Sequence, residues 1–125
     1  MHSVKKIVII DDEKDLCLLL QTYCKKNNYQ VHISHSLSDG LEILNCIIPN
    51  VVFIDNNLPD GEGWSKIKDI QVQHPKCIIF FISAYNCANQ PIIINNNCII
   101  LEKPISIFEI EKHLQHFFKL EQMIF

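Results

Sequence analysis

The residue pattern predicts a doubly wound α/β fold, (βα)5, with one five-stranded parallel sheet and helices on both of its faces. Three observations carry this. Short apolar runs alternate with segments of helical spacing along the whole chain. Runs such as Val51-Val52-Phe53-Ile54 and Cys77-Ile78-Ile79-Phe80-Phe81-Ile82 are apolar without alternation, the pattern of parallel strands covered on both sides. Acidic or polar residues stand where these runs end.

The elements follow in order. Val4 to Ile10 reads as a strand ending at Asp11-Asp12. From Glu13 to Asn27, Leu16, Leu19, Leu20, Tyr23 and Cys24 fall at helical spacing, with Asp12 as a candidate cap. Val31 to Ser34 is a short second strand. Leu37 to Ile47 is a second helix, with Leu37, Leu41, Leu44 and Ile48 on one face and Pro49 beyond it. Asn50 to Asp55 is an apolar strand with an acid at its end. Asn56 to Gly63 is a loop marked by Pro59-Asp60-Gly61. Trp64 to His74 is a third helix, stopped by Pro75, and Cys77 to Ser83 a fourth strand. Tyr85 to Asn97 is poorly patterned. Cys98 to Leu101 is a fifth strand, and Ser106 opens the last helix with the capping box Ser106-x-x-Glu109.

The bulk properties exclude several classes. A chain of 125 residues forms one domain, taken as residues 1–125. No apolar stretch reaches the roughly 18 residues of a membrane span. The basic pair Lys5-Lys6 is followed too soon by Asp11-Asp12-Glu13 for a signal peptide, so a cytoplasmic location is expected. The net charge is −3 and the eleven Lys and Arg positions are scattered, which argues against direct nucleic-acid binding. The six cysteines include no C-x-x-C pair, and several lie inside apolar runs. They read as buried free thiols rather than a disulfide or metal framework. His113 and His116 read as favourable charges near a helix C-terminus rather than a metal pair.

Doubly wound sheets bind ligands outside the carboxyl ends of their strands. Asp11-Asp12, Asp55, Ser83 and Lys103 all fall at such ends. A lone aspartate after a strand usually caps a helix. Three at one edge raise each other's energy and call for a positive partner. A hard dication with oxygen ligands answers best, and Mg²⁺ is the natural choice because it uses few carboxylates and keeps room for a phosphoryl oxygen. Most lysines are solvated, but Lys103 sits between the apolar run Ile99-Ile100-Leu101 and Pro104. There it is a point charge able to pair with Asp55 and then with a phosphoryl group.

These residues, in this order, resemble the receiver domain family of bacterial two-component systems. The matching motifs are Asp11-Asp12, the segment Ile54-Asp55-Asn56-Asn57-Leu58-Pro59-Asp60-Gly61-x-Gly63, Ser83-Ala84 and Lys103-Pro104. The resemblance implies a flavodoxin-like strand order, 2-1-3-4-5. It implies that Asp55 takes a phosphoryl group from a phosphohistidine on a sensor histidine kinase or a histidine phosphotransfer protein. Asp11, Asp12, Asp55 and the Asn57 backbone carbonyl would hold Mg²⁺. Ser83 and Lys103 would stabilise the phosphoryl group, and the Lys103-Pro104 peptide would be cis. Asn57 and Tyr85 would tune the phosphoryl lifetime. A downstream effector or a homodimer is the implied output. Phe125 lies just past the last predicted helix, which suits a stand-alone receiver or a part of a longer regulator.

Two departures from the family pattern bear on output. Ile100 stands three places before Lys103, where the family usually has an aromatic switch residue. The interval from Tyr85 to Asn97 contains Pro91, three successive Ile and three Asn, which predicts a short, displaced or irregular fourth helix. Two rival functions are therefore weighed. A degenerate receiver acting as a phosphorylation-independent binding module should have lost one of Asp11-Asp12, Asp55, Ser83 or Lys103. A metal-dependent phosphatase should have a further acid two places after Asp55, where Asn57 stands. Both are disfavoured. Signalling through the face formed by the fourth helix, fifth strand and last helix is expected to be atypical. Relaxation-dispersion NMR with and without a phosphoryl mimic tests this, and large coupled shifts in the fourth helix and fifth strand overturn it.

Overall fold

The structure, a computed structural model, describes residues 4–84 and 97–123. Its elements are β1 (Lys6–Ile10), α1 (Lys14–Lys26), β2 (Gln30–Ser34), α2 (Leu37–Cys46), β3 (Val51–Asp55), a small hairpin of β4 (Asn57–Leu58) and β5 (Gly61–Glu62), a 3-10 turn (Gly63–Lys66), α3 (Ile67–Gln73), β6 (Ile78–Ser83), β7 (Cys98–Glu102) and α4 (Ile107–Met123). The main sheet has the order β2-β1-β3-β6-β7, and every pair in it is parallel. This is the predicted doubly wound, flavodoxin-like arrangement. The short or irregular fourth helix predicted within Tyr85 to Asn97 falls on residues 85–96, outside the described residues.

The period-two geometry of strands divides the core in two. Ile7 and Ile9 of β1, Phe53 of β3, and Phe80 and Ile82 of β6 face Leu16, Leu20 and Tyr23 of α1 and Ile110 and Leu114 of α4. Val8, Ile10, Val52, Ile54, Ile79 and Phe81 face Leu37 and Leu44 of α2 and Ile67 and Ile70 of α3. Because both faces are covered, β3 and β6 are buried along their whole lengths. Phe53 and Phe80 stack across neighbouring strands with ring centroids 4.8 Å apart. The last helix is held to the first by the Tyr23 hydroxyl, which donates to the Glu111 carboxylate. Lys5 adds an ion pair to Glu121 at 2.6 Å and lies over the Phe118 ring. At the start of α4 the Glu109 N–H donates to the Ser106 hydroxyl at 3.3 Å, one half of the predicted capping box.

Several boundaries differ from the sequence reading. The N-cap of α1 is Glu13 rather than Asp12. The reason is that Asp11 Oδ1 accepts the Glu13 N–H at 2.8 Å and holds the chain extended for longer. Helix α2 stops at Cys46, and Ile48, expected on its apolar face, is 79% exposed. Pro49 disfavours helical geometry at the residue before it. The third helix begins as a 3-10 turn at Gly63, where the chain is pinned against β3. Cys17, Cys24, Cys77 and Cys98 are buried free thiols as expected, whereas Cys46 is exposed. Cys87 lies outside the described residues.

Gly40 on α2 lets the helix close onto β1. A Cβ there would lie 2.6 to 2.9 Å from three side-chain carbons of Ile10. Overpacking of this kind costs about 1–3 kcal/mol, more than the helix propensity gained. Gly40→Ala is therefore expected to lower the urea midpoint, and an unchanged midpoint would show that Ile10 repacks freely.

Candidate functional site

The ends of β1 and β3 lie side by side in the sheet, and each delivers an aspartate. Asp11 follows β1 and is completely buried, its N–H bonded to the Ser34 carbonyl at 3.1 Å. Asp55 is the last residue of β3, lies between β1 and β6, and is 2% exposed. Asp12 is exposed at the rim. One carboxylate oxygen from each of the three comes within 4.8 Å of the others, the one such group among the described residues.

Burial dominates the electrostatics. It pushes the Asp11 carboxyl up to about 6, against the pull of the Glu13 N–H and with the Asp55 charge adding to the rise. It also raises Asp55, against the lowering influence of Lys103 and of neighbouring backbone N–H groups. Asp11 Oδ2 and Asp55 Oδ1 are buried and have no hydrogen-bond partner. Buried carboxylate oxygens of this kind are costly unless something positive meets them. The orphaned oxygens belong to two of the three clustered aspartates, and the three together form a donor set that fits a hard, oxygen-loving dication such as Mg²⁺.

Lys103 enters from the end of β7. Its N–H donates to the Ser83 carbonyl at 2.9 Å, and its peptide bond to Pro104 is cis. Its ammonium lies 3.0 Å from Glu13 Oε2 and 3.5 Å from Asp55 Oδ2. Glu13 is the site residue that the sequence reading missed, although it directly follows the acid pair. Ser83 ends β6 and is buried, one residue beyond the Ile82 that pairs with Asp55. Asn57 is exposed in β4, opposite Glu62. Ile100 is partly buried among the residues on the α2–α3 side of the sheet. Tyr85 lies outside the described residues.

The loop after Asp55 is tied down at several points. The Asn56 N–H donates to Ile82 O at 2.9 Å, and the Asn56 carbonyl accepts the Gly63 N–H at 2.9 Å. The Asn56 side chain accepts the Trp64 N–H at 3.3 Å. A Cβ on Gly63 would stand 2.2 Å from the Asp55 carbonyl oxygen, so only glycine fits this approach. The Asp60 carboxylate accepts the N–H groups of Leu37 and Ser38, at 2.7 and 2.8 Å, at the start of α2. On the other side, Cys17 Sγ and His35 Nδ1 both contact the Asp11 carbonyl, at 3.2 and 3.0 Å.

Residues 7–115 match the model of the response regulator receiver domain. The chain belongs to this family. It is a signalling phosphoacceptor domain of two-component response regulators. The receiver is 33% identical over 105 residues to the transcriptional regulatory protein YxdJ of Bacillus subtilis (strain 168), a match that covers 82% of this chain and 45% of that protein. The chain thus spans less than half the length of this curated relative. In structure, the receiver resembles a two-component response regulator from Clostridium difficile, with a TM-score of 0.81 at 22% identity, covering 92% of this chain and 96% of that one. It is also similar to a CheY-like receiver domain protein from Methanospirillum hungatei JF-1, with a TM-score of 0.82 at 22% identity, covering 97% and 99%. Among the described residues no helix of the receiver is long and apolar enough to cross a membrane.

The buried acids give the receiver a definite pH dependence. The native state holds the Asp11 proton more tightly than the unfolded chain, whose carboxyl titrates near 3.8. This contribution to stability is full below that pH and is lost as pH rises through about 6. Asp11→Asn keeps the side chain neutral at every pH and so removes the titration. The metal-free variant is expected to be more stable than the parent at neutral pH by about 1 kcal/mol, and to lose the parent's decline across that interval. Urea titrations at a series of pH values without divalent cations measure both, and a variant no more stable than the parent would contradict the account.

Proposed function

We propose that Asp55 is the phosphoacceptor of this receiver and that its donor is a phosphohistidine on a sensor histidine kinase or a histidine phosphotransfer protein. One Asp55 oxygen forms the new bond to phosphorus as the phosphorus–nitrogen bond breaks. The electron pair of that bond stays with the departing imidazole, and the product is an aspartyl phosphate. The observation that carries this reading is the environment of the Asp55 carboxylate. It is buried at the sheet edge and clusters with the Asp11 and Asp12 carboxylates, with one oxygen 3.5 Å from the Lys103 ammonium and the other without a hydrogen-bond partner.

The remaining residues take supporting roles. Asp11, Asp12, Asp55 and the Asn57 backbone carbonyl would hold Mg²⁺, which when bound supplies positive charge to the phosphoryl oxygens. The Lys103 ammonium and the Ser83 hydroxyl stabilise the same group, in keeping with a reaction in which positioning and electrostatics supply most of the catalysis. Asn57 and Tyr85 tune how long the phosphoryl group lasts. A downstream effector or a second copy of the chain reads the result, and the location is cytoplasmic. The binding-module alternative is not better supported, since the acid pair, Asp55, Ser83 and Lys103 are all present.

Incubation with Mg²⁺ and acetyl phosphate, followed by intact mass measurement, tests the proposal. The parent is expected to gain one phosphoryl group and Asp55→Asn none. A phosphorylated Asp55→Asn would move the acceptor elsewhere, and an unmodified parent would overturn the reading.

A further inference from the structure

The Lys103 ammonium has two carboxylates within reach, and they are unequally close. Glu13 is the nearer, at 3.0 Å, against 3.5 Å for Asp55. The position of Glu13 is set by the backbone. Its N–H is bonded to Asp11 Oδ1 at 2.8 Å, and its side chain makes no capping bond to α1. The two partners differ in exposure, with 54% of the Glu13 side chain accessible against 3% for Asp55. The Glu13 pair is therefore screened and readily broken, and the Asp55 pair is not.

We infer that Glu13 is a positioning residue that competes with Asp55 for the Lys103 ammonium and so limits the rate of phosphorylation. The inference rests on Asp55 being the acceptor. With acetyl phosphate as donor, an Asp55 oxygen bonds to phosphorus, the bond from phosphorus to the acyl oxygen breaks, and acetate leaves with that electron pair. No proton is required. The single negative charge of Asp55 becomes a phosphoryl group carrying close to two. The ammonium is needed at that group, and to reach it must give up the Glu13 carboxylate. At rest Glu13 holds the ammonium at the rim. Once the phosphoryl group is present, its larger charge wins the competition.

The test compares the parent with Glu13→Gln, which keeps the shape and removes the charge. Phosphorylation by acetyl phosphate is followed by intact mass at saturating Mg²⁺ over a range of salt concentrations, with urea midpoints as a check on folding. At low salt the variant is expected to react about two- to five-fold faster, the range an exposed ion pair can supply. The gap should close as salt is added, because screening loosens the parent's pair and leaves the variant nothing to loosen. A merely structural role for Glu13 would not produce that salt dependence. Equal rates at low salt, or a gap that persists at high salt, overturn the inference and leave the Asp55 reading intact. No phosphoryl group on either protein overturns the Asp55 reading and this inference with it.

Discussion

Asp55 stands at the end of a strand that is buried from Val51 onward, and this forces a charged group into a place that an apolar core would otherwise fill. The cost falls on its neighbours. Asp11 is buried beside it and is itself raised, so neither acid relieves the other. Lys103 relieves Asp55 in part, because the Ser83 carbonyl anchors its backbone at the adjacent strand end. What remains unrelieved is local and specific: one oxygen on each of two aspartates. Buried charge left unresolved in this way is where stability gives way to function.

The apolar scaffold behind the site explains how the buried charge is held in place. The sheet is covered on both faces, and the strands that carry Asp11 and Asp55 are rigidly packed between the two helical layers. The stacked rings of Phe53 and Phe80 lie in the same strands whose ends carry Asp55 and Ser83. Close-packed interiors transmit rather than absorb displacement, so the geometry at the edge inherits the order of the core.

Much of this was legible in the chain. Unbroken apolar runs gave the parallel strands, and the acids at their ends gave the pocket, because burial on both faces and ligand binding at strand ends leave direct marks in residue pattern. The details that were missed depend on geometry across the chain. The bond from Glu13 to Lys103 joins residues 90 positions apart, and no local spacing encodes it. The cap of α1 shifted from Asp12 to Glu13 because Asp11 spent an oxygen on backbone rather than on the helix. Ile48 looked like a helix-face residue by spacing alone, yet Pro49 ended the helix before that spacing could apply.

The two hydrogen bonds from α2 to Asp60 have a mechanical meaning. Between Asp55 and Asp60 the chain is clamped at one end by the Asn56 and Gly63 backbone bonds and at the other by the first turn of α2. It is therefore a strut rather than a tether. A displacement of this segment must either carry the start of α2 with it or break both bonds. The consequence is a route for motion that runs toward α2, on the same side of the sheet as Ile100.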